Sequence, residues 1–154
     1  MITDFLKDEK SLVLFDMDGV LAEYKWGEND LIKGGDTDVY LDKRPIYSVI
    51  EVAKRLDDNG VSVGILSSCE TTSQKEAKLK WLSRHTPFIK DNIYILVWSE
   101  LGLVGKSRDS QKAHVMQGIT KYKKVFLIDD KHKVINATNE ILPNTARHVS
   151  EILR

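Results

Sequence analysis

Two aspartates stand one residue apart where an apolar run stops: Leu12-Val13-Leu14-Phe15 leads into Asp16-Met17-Asp18-Gly19. A second run, Val125-Phe126-Leu127-Ile128, closes on another acidic pair, Asp129-Asp130. A third, Val61 to Leu66, ends in Ser67-Ser68, and Lys106 sits in a glycine-bearing stretch, Gly102 to Ser107. Carboxylates brought together repel one another and either hold protons or recruit a cation. Three or four of them with room for water suit Mg²⁺, a hard ion that takes oxygen ligands in near-octahedral geometry. Mg²⁺, carboxylates, a hydroxyl and a lysine together serve phosphoryl transfer best, because that transition state needs charge positioned around it. One carboxylate can attack phosphorus and form an aspartyl-phosphate. A second, two residues on, can give a proton to the leaving oxygen and later take one from water. Ser67 and Lys106 would hold the other phosphoryl oxygens. Ser68 and Lys112 are the rivals for those two roles, each less favoured by its placement, and Gly19, where the chain can turn sharply, is counted with the phosphate-binding group.

These residues can meet only if the elements carrying them end at one edge. Four consecutive large apolar residues, as at Leu12–Phe15, read as a strand buried on both faces of a parallel sheet. Helical spacing follows Pro45 (Ile46, Val49, Ile50, Ala53, Leu56) and ends at Asn59-Gly60. Strands are then expected at Val61–Leu66, Ile93–Trp98 and Lys124–Ile128, with a last edge strand near Ala146–Val149. Helices are expected after Thr71–Ser73, over about Asp109–Gly118, and over Lys131–Leu142. This alternation predicts an α/β fold, a three-layer, Rossmann-like, doubly wound parallel sheet with helices on both faces. In such sheets ligands bind at the carboxyl ends of the strands. Residues 2–10 read as a short leading helix or extension. Residues 25–43, turn-rich and without steady periodicity, read as a small flap inserted after the first strand, and the whole of 1–154 as one domain.

In order, LVLFDMDGVL, VGILSS, the lysine of VGKSRDS and VFLIDD resemble the motifs of the haloacid dehalogenase superfamily of phosphohydrolases, over nearly the whole chain. The resemblance implies that superfamily's core fold, Asp16 as nucleophile, Asp18 as general acid/base, and Ser67 and Lys106 as phosphoryl binders. It also implies Mg²⁺ on the Asp16 carboxylate, the Asp18 backbone carbonyl and an acid at Asp129 or Asp130. DMDGVLAEY, Arg44-Pro45, ILSS and KEAKLKWLSRH are similar to the 5'(3')-deoxyribonucleotidase branch, which implies a nucleotide substrate. The chain departs from that branch between Tyr24 and Arg44, where the relatives carry a larger helical cap. An open site would admit a bulkier substrate, such as a polynucleotide 3'-phosphate end, or an oligomer would supply the lid. Trp26 and Trp98, following strand ends on the presumed active edge, are candidates to contact a base, against packing as the ordinary reason for a tryptophan.

Composition narrows the partners. Lysine plus arginine and aspartate plus glutamate both number 23 in 154 residues, so no global field favours nucleic acid or membrane, although local basic patches remain open. No apolar stretch is long enough to span a bilayer. One cysteine, Cys69, excludes an intrachain disulfide framework, and with no apolar leader the reading is a cytoplasmic protein. The four histidines show no metal-ligand spacing with one another or with Cys69. A phospho-accepting receiver domain would place its lone acceptor aspartate after the third strand, where Val97-Trp98-Ser99 stands instead. A binding protein of the same fold that had lost catalysis is the remaining alternative, and no motif residue is missing to support it.

Overall fold

A computed structural model describes residues 10–25, 27–28, 38–101 and 108–153. Its centre is a five-stranded, all-parallel sheet of β1 (Ser11–Phe15), β2 (Ser62–Cys69), β3 (Ile93–Val97), β4 (Lys124–Asp129) and β5 (Ala146–His148), in the order β3-β2-β1-β4-β5. Between them run α1 (Asp38–Leu41), α2 (Tyr47–Asp58), α3 (Thr72–His85), α4 (Trp98–Leu101), α5 (Gln111–Gln117) and α6 (His132–Ile141). A 3₁₀ turn, Arg108–Ser110, precedes α5, and another, Val149–Leu153, follows β5. The predicted doubly wound α/β architecture is the one observed.

β1 is buried along its whole length because it lies between β2 and β4 and is covered on both faces, which is why its sequence is continuously apolar. Val13 and Phe15 pack with Val49 and Ala53 of α2 and with Ala77 and Trp81 of α3. Leu12 and Leu14 pack on the other face with Met116 of α5 and with Val134 and Ile135 of α6. The strand order reverses between β1 and β4, so the crevice beyond their carboxyl ends is where such a sheet can take a ligand.

Several boundaries differ from the sequence expectation. β2 begins at Ser62, one residue later than expected, and closes on Ser67, Ser68 and Cys69, which pair with Ile95, Leu96 and Val97 of β3 as ladder residues. β3 stops at Val97, and Trp98 opens α4. Pro45 lies ahead of α2, bridged to Ala22, while Ile46 N–H donates to the Leu21 carbonyl at 2.7 Å and Glu23 N–H to the Arg44 carbonyl at 2.9 Å. These bonds clip the end of the 25–43 insertion onto the turn after β1. Within that insertion Asp38–Leu41 is helical, while residues 26 and 29–37 lie outside the described residues, as do 2–9 of the leading segment expected over 2–10. Among the described residues no helix is long and apolar enough to cross a membrane.

Candidate active site

Side chains alternate along a strand. Continuing the parity of Leu12 and Leu14, Asp16 points to the face that carries α5; so does Asp129, two residues after Leu127. From α5 the buried Lys112 reaches between them, its Nζ 2.7 Å from Asp129 Oδ2 and 3.1 Å from Asp16 Oδ1. The remaining Asp129 oxygen accepts the backbone N–H groups of Asp130 at 2.8 Å and Lys131 at 3.0 Å. Asp16 Oδ1 also accepts Met17 N–H at 2.8 Å. Asp130 sits against Gly19, whose φ is +78° and where a Cβ would fall 2.2 Å from Asp130 Oδ2 and 2.7 Å from the Tyr24 ring. Only glycine leaves room for that carboxylate.

Asp16, Asp129 and Asp130 each offer an oxygen within 4.8 Å of the others. Burial pushes the Asp16 carboxyl above its ordinary range despite Lys112, and burial with the charges of Asp16 and Asp129 pushes Asp130 up to about 6. For Lys112 burial acts in the opposite direction, but Asp16 and Asp129 outweigh it and hold the ammonium above its usual value. Asp130 Oδ1 is buried with no hydrogen-bond partner, the situation a bound cation relieves. The donor set is all oxygen, which fits Mg²⁺. With both Asp129 oxygens already engaged, Asp16 and Asp130 have the freest lone pairs for direct ligation.

A pH dependence follows from Asp130. Below about pH 6 its carboxyl is protonated in the metal-free protein, so a cation must displace a proton. Mg²⁺ affinity is expected to fall by up to about tenfold per pH unit below that point and to level off above it. In the metal-free protein the same raised carboxyl makes stability fall as pH rises from its ordinary 3.8 towards about 6. Calorimetric titration with Mg²⁺ at pH 5 and pH 7 checks the affinity, and equal values would refute the assignment.

Asp18 is held differently. Its Oδ1 accepts Lys43 Nζ at 2.5 Å and its Oδ2 accepts Lys78 Nζ at 2.7 Å. Burial alone would raise its carboxyl, but the two ammonium groups prevail and bring it down to about 2. Lys78 also donates to Ser67 Oγ at 3.0 Å and to the Ser68 carbonyl at 2.8 Å. Lys43 bridges onward to Glu28 at 2.5 Å, its carbonyl accepts Trp81 Nε1–H at 2.9 Å, and Tyr40 lies 5.3 Å from both ammonium groups. Glu28 and Lys43 stand near the two ends of the insertion, so its described parts are laced to Asp18. A cavity of about 240 Å³ opens above these groups, lined by Asp16, Asp18, Tyr24, Ser68, Trp98 and Lys112 among others.

Two solved chains share this architecture. One belongs to the Pnkp1/Rnl/Hen1 complex, at a TM-score of 0.70 and 18% identity, covering 90% of this chain and 45% of that one. The other belongs to the Pnkp1/Rnl/Hen1 RNA repair complex, at 0.69 and 19%, covering 90% of this chain and 42% of that one. Identity this low shows the fold alone, and the present chain spans less than half the length of either solved chain. No protein-family model and no curated protein matches the sequence.

The structure brings Asp16, Asp18, Asp129, Asp130, Ser68 and Trp98 of the expected set to one edge of the sheet. Ser67, preferred on sequence, faces the α2/α3 side and binds Lys78 under Asp18; Ser68, one residue on, faces the cavity. The parity of β2 puts the two hydroxyls on opposite faces of the sheet. Gly19 N–H donates to the Ala22 carbonyl at 2.8 Å, and its lack of a side chain makes room for Asp130. Lys106 and Trp26 lie outside the described residues, and the rival Lys112 occupies the acidic cluster. Lys43 and Lys78 were missed. Lys78 carried a signal, since it lies on the same stripe of α3 as Gln74, Trp81 and Leu82, where an unpaired lysine would be costly. Thr71 and Gln74 set that helix with a capping box.

Proposed function

We propose that this chain is a Mg²⁺-dependent phosphomonoesterase that works through an aspartyl-phosphate on Asp16, with phosphorylated polynucleotide ends as its substrate class. The observation that carries the chemistry is the meeting of Asp16, Asp129 and Asp130 oxygens within 4.8 Å, with Lys112 between the first two. The motif resemblance to the haloacid dehalogenase superfamily supports the same chemistry. The substrate class rests on the shortness of the 25–43 insertion, where the deoxyribonucleotidase branch carries a larger helical cap, and on the likeness to chains of an RNA repair complex.

When bound, the metal would neutralise charge on the transferring phosphoryl oxygens. The rest falls to side chains. Lys112 and Ser68 orient the phosphoryl group over Asp16, whose carboxylate oxygen attacks phosphorus as the ester oxygen leaves. The two lysines hold Asp18 ionised, the form that takes a proton from water when the aspartyl-phosphate is hydrolysed. In the first step Asp18 must therefore collect a proton before delivering it to the leaving oxygen. A phosphomonoester monoanion brings one, since its last ionisation falls near pH 6.

The test is a substrate series with and without EDTA: p-nitrophenyl phosphate, deoxynucleoside 5'- and 3'-monophosphates, and a 3'-phosphorylated oligonucleotide. Mg²⁺-dependent hydrolysis with the highest kcat/KM on the oligonucleotide is expected. Preference for a free mononucleotide would return the substrate to the deoxyribonucleotidase-like expectation, and EDTA-insensitive or absent hydrolysis would refute the chemistry.

A further inference from the structure

The cavity over Asp16 has a second charged layer that the reaction does not use. Arg108, from the 3₁₀ turn before α5, and Lys131, the N-cap of α6, line it together with Trp98. Arg108 is 60% exposed, its guanidinium lies over the Trp98 ring at 5.3 Å, and its contact with the equally exposed Glu70 is long, 3.8 Å. The Lys131 backbone N–H is committed to Asp129, whereas its side chain is exposed and makes no salt bridge among the described residues. Lys112, by contrast, is bonded within the acidic cluster. Asp109 lines the same cavity and tempers the local charge. Two outer cations therefore stand at the cavity with their hydrogen-bonding capacity largely open. A mononucleotide, whose single phosphate must sit on Asp16, brings them no phosphate to hold.

We infer that Arg108 and Lys131 hold a second phosphate of the substrate, one step removed from the phosphoryl group that is transferred, so that the site selects ligands carrying two phosphates. This rests on the phosphatase reading above. The second phosphate can be the internucleotide linkage next to a phosphorylated polynucleotide end or the second group of a nucleoside bisphosphate, and these share one recognition chemistry. Trp98 supports Arg108 from beneath through a cation–π contact and presents an aromatic surface to the neighbouring nucleoside.

The experiment compares the wild type with the Arg108→Ala/Lys131→Ala double variant on four substrates: a 3'-phosphorylated oligonucleotide, a nucleoside 3',5'-bisphosphate, the nucleoside 3'-monophosphate and p-nitrophenyl phosphate. The ratio of kcat/KM for the doubly phosphorylated ligands to that for p-nitrophenyl phosphate should fall about tenfold or more, mainly through KM. The slope of log KM against log salt for the oligonucleotide should drop by about 0.7, one phosphate contact on a single strand. An oligonucleotide preferred over the bisphosphate identifies the linkage as the second phosphate; equal use identifies the smaller ligand. Binding of the same ligands to an Asp16→Asn background separates this inference from the catalytic reading. If nothing is hydrolysed but doubly phosphorylated ligands bind and lose affinity in the double variant, the catalytic reading fails and the second-phosphate site stands. If p-nitrophenyl phosphate is hydrolysed but ligands with one and two phosphates bind alike, the second-phosphate site is refuted.

Discussion

Asp16→Asn is expected to abolish Mg²⁺-dependent hydrolysis of p-nitrophenyl phosphate, by about a thousandfold or more in kcat, while the protein remains folded. Removing a nucleophile removes the covalent route itself, and losses of that size are typical when such a group is deleted. The fold should tolerate the change because the side chains are nearly isosteric and an amide oxygen can still accept the Met17 N–H that Asp16 holds at 2.8 Å. Lys112 keeps its closer partner, Asp129 at 2.7 Å, so no ammonium is left buried alone. The substitution also removes one of three mutually repelling carboxylates, which offsets part of the lost attraction. A thermal melt within a few degrees of wild type, with the rate lost, is the predicted pair of results. Near-normal turnover in Mg²⁺ would show that another group attacks phosphorus.

How far the sequence revealed this site depended on how each residue is buried. The strands under Asp16 and Asp129 are covered on both faces, so they appear as continuous apolar runs, and a carboxylate where such a run stops stands out. That made the acidic edge legible. The serines were harder, because both belong to the last rungs of β2 and closeness to the strand end does not separate two neighbours. Register separates their faces: Phe15 pairs with Ile65, which puts Ser68 on the Asp16 face and Ser67 on the other. The lysines were hardest. A lysine in a helix usually extends to solvent, so Lys78 passed unremarked and Lys112 stood second to Lys106, although each shares a stripe with buried neighbours, Trp81 and Leu82 in one case and Met116 in the other. Lys43 gave no sign at all; only its bonds to Asp18, Glu28 and Trp81, distant along the chain, place it.

The same point decides which lysine matters most. Lys112→Met should cost the metal-free protein about 3–5 kcal/mol, the usual penalty for breaking a buried ion pair from one side, because Asp16 and Asp129 would face each other with no ammonium between them. Mg²⁺ supplies positive charge to the same carboxylates, so it should raise the unfolding midpoint of the variant by more than that of the wild type. Activity should fall by a hundredfold to a thousandfold, about 2.7–4 kcal/mol, as expected when one charged contact to a transferring phosphoryl group is lost. Lys112→Arg keeps the charge and separates lost electrostatics from lost folding: it should recover most of the stability but less of the rate, since the wider guanidinium cannot occupy the same point between two oxygens. Lys106→Ala provides the contrast, because placement in a loop beyond a strand favoured that residue. If Lys106→Ala costs more activity than Lys112→Met in Mg²⁺, the phosphoryl-binding lysine lies in the 102–107 segment and Lys112 serves only to balance the charge of the acidic cluster.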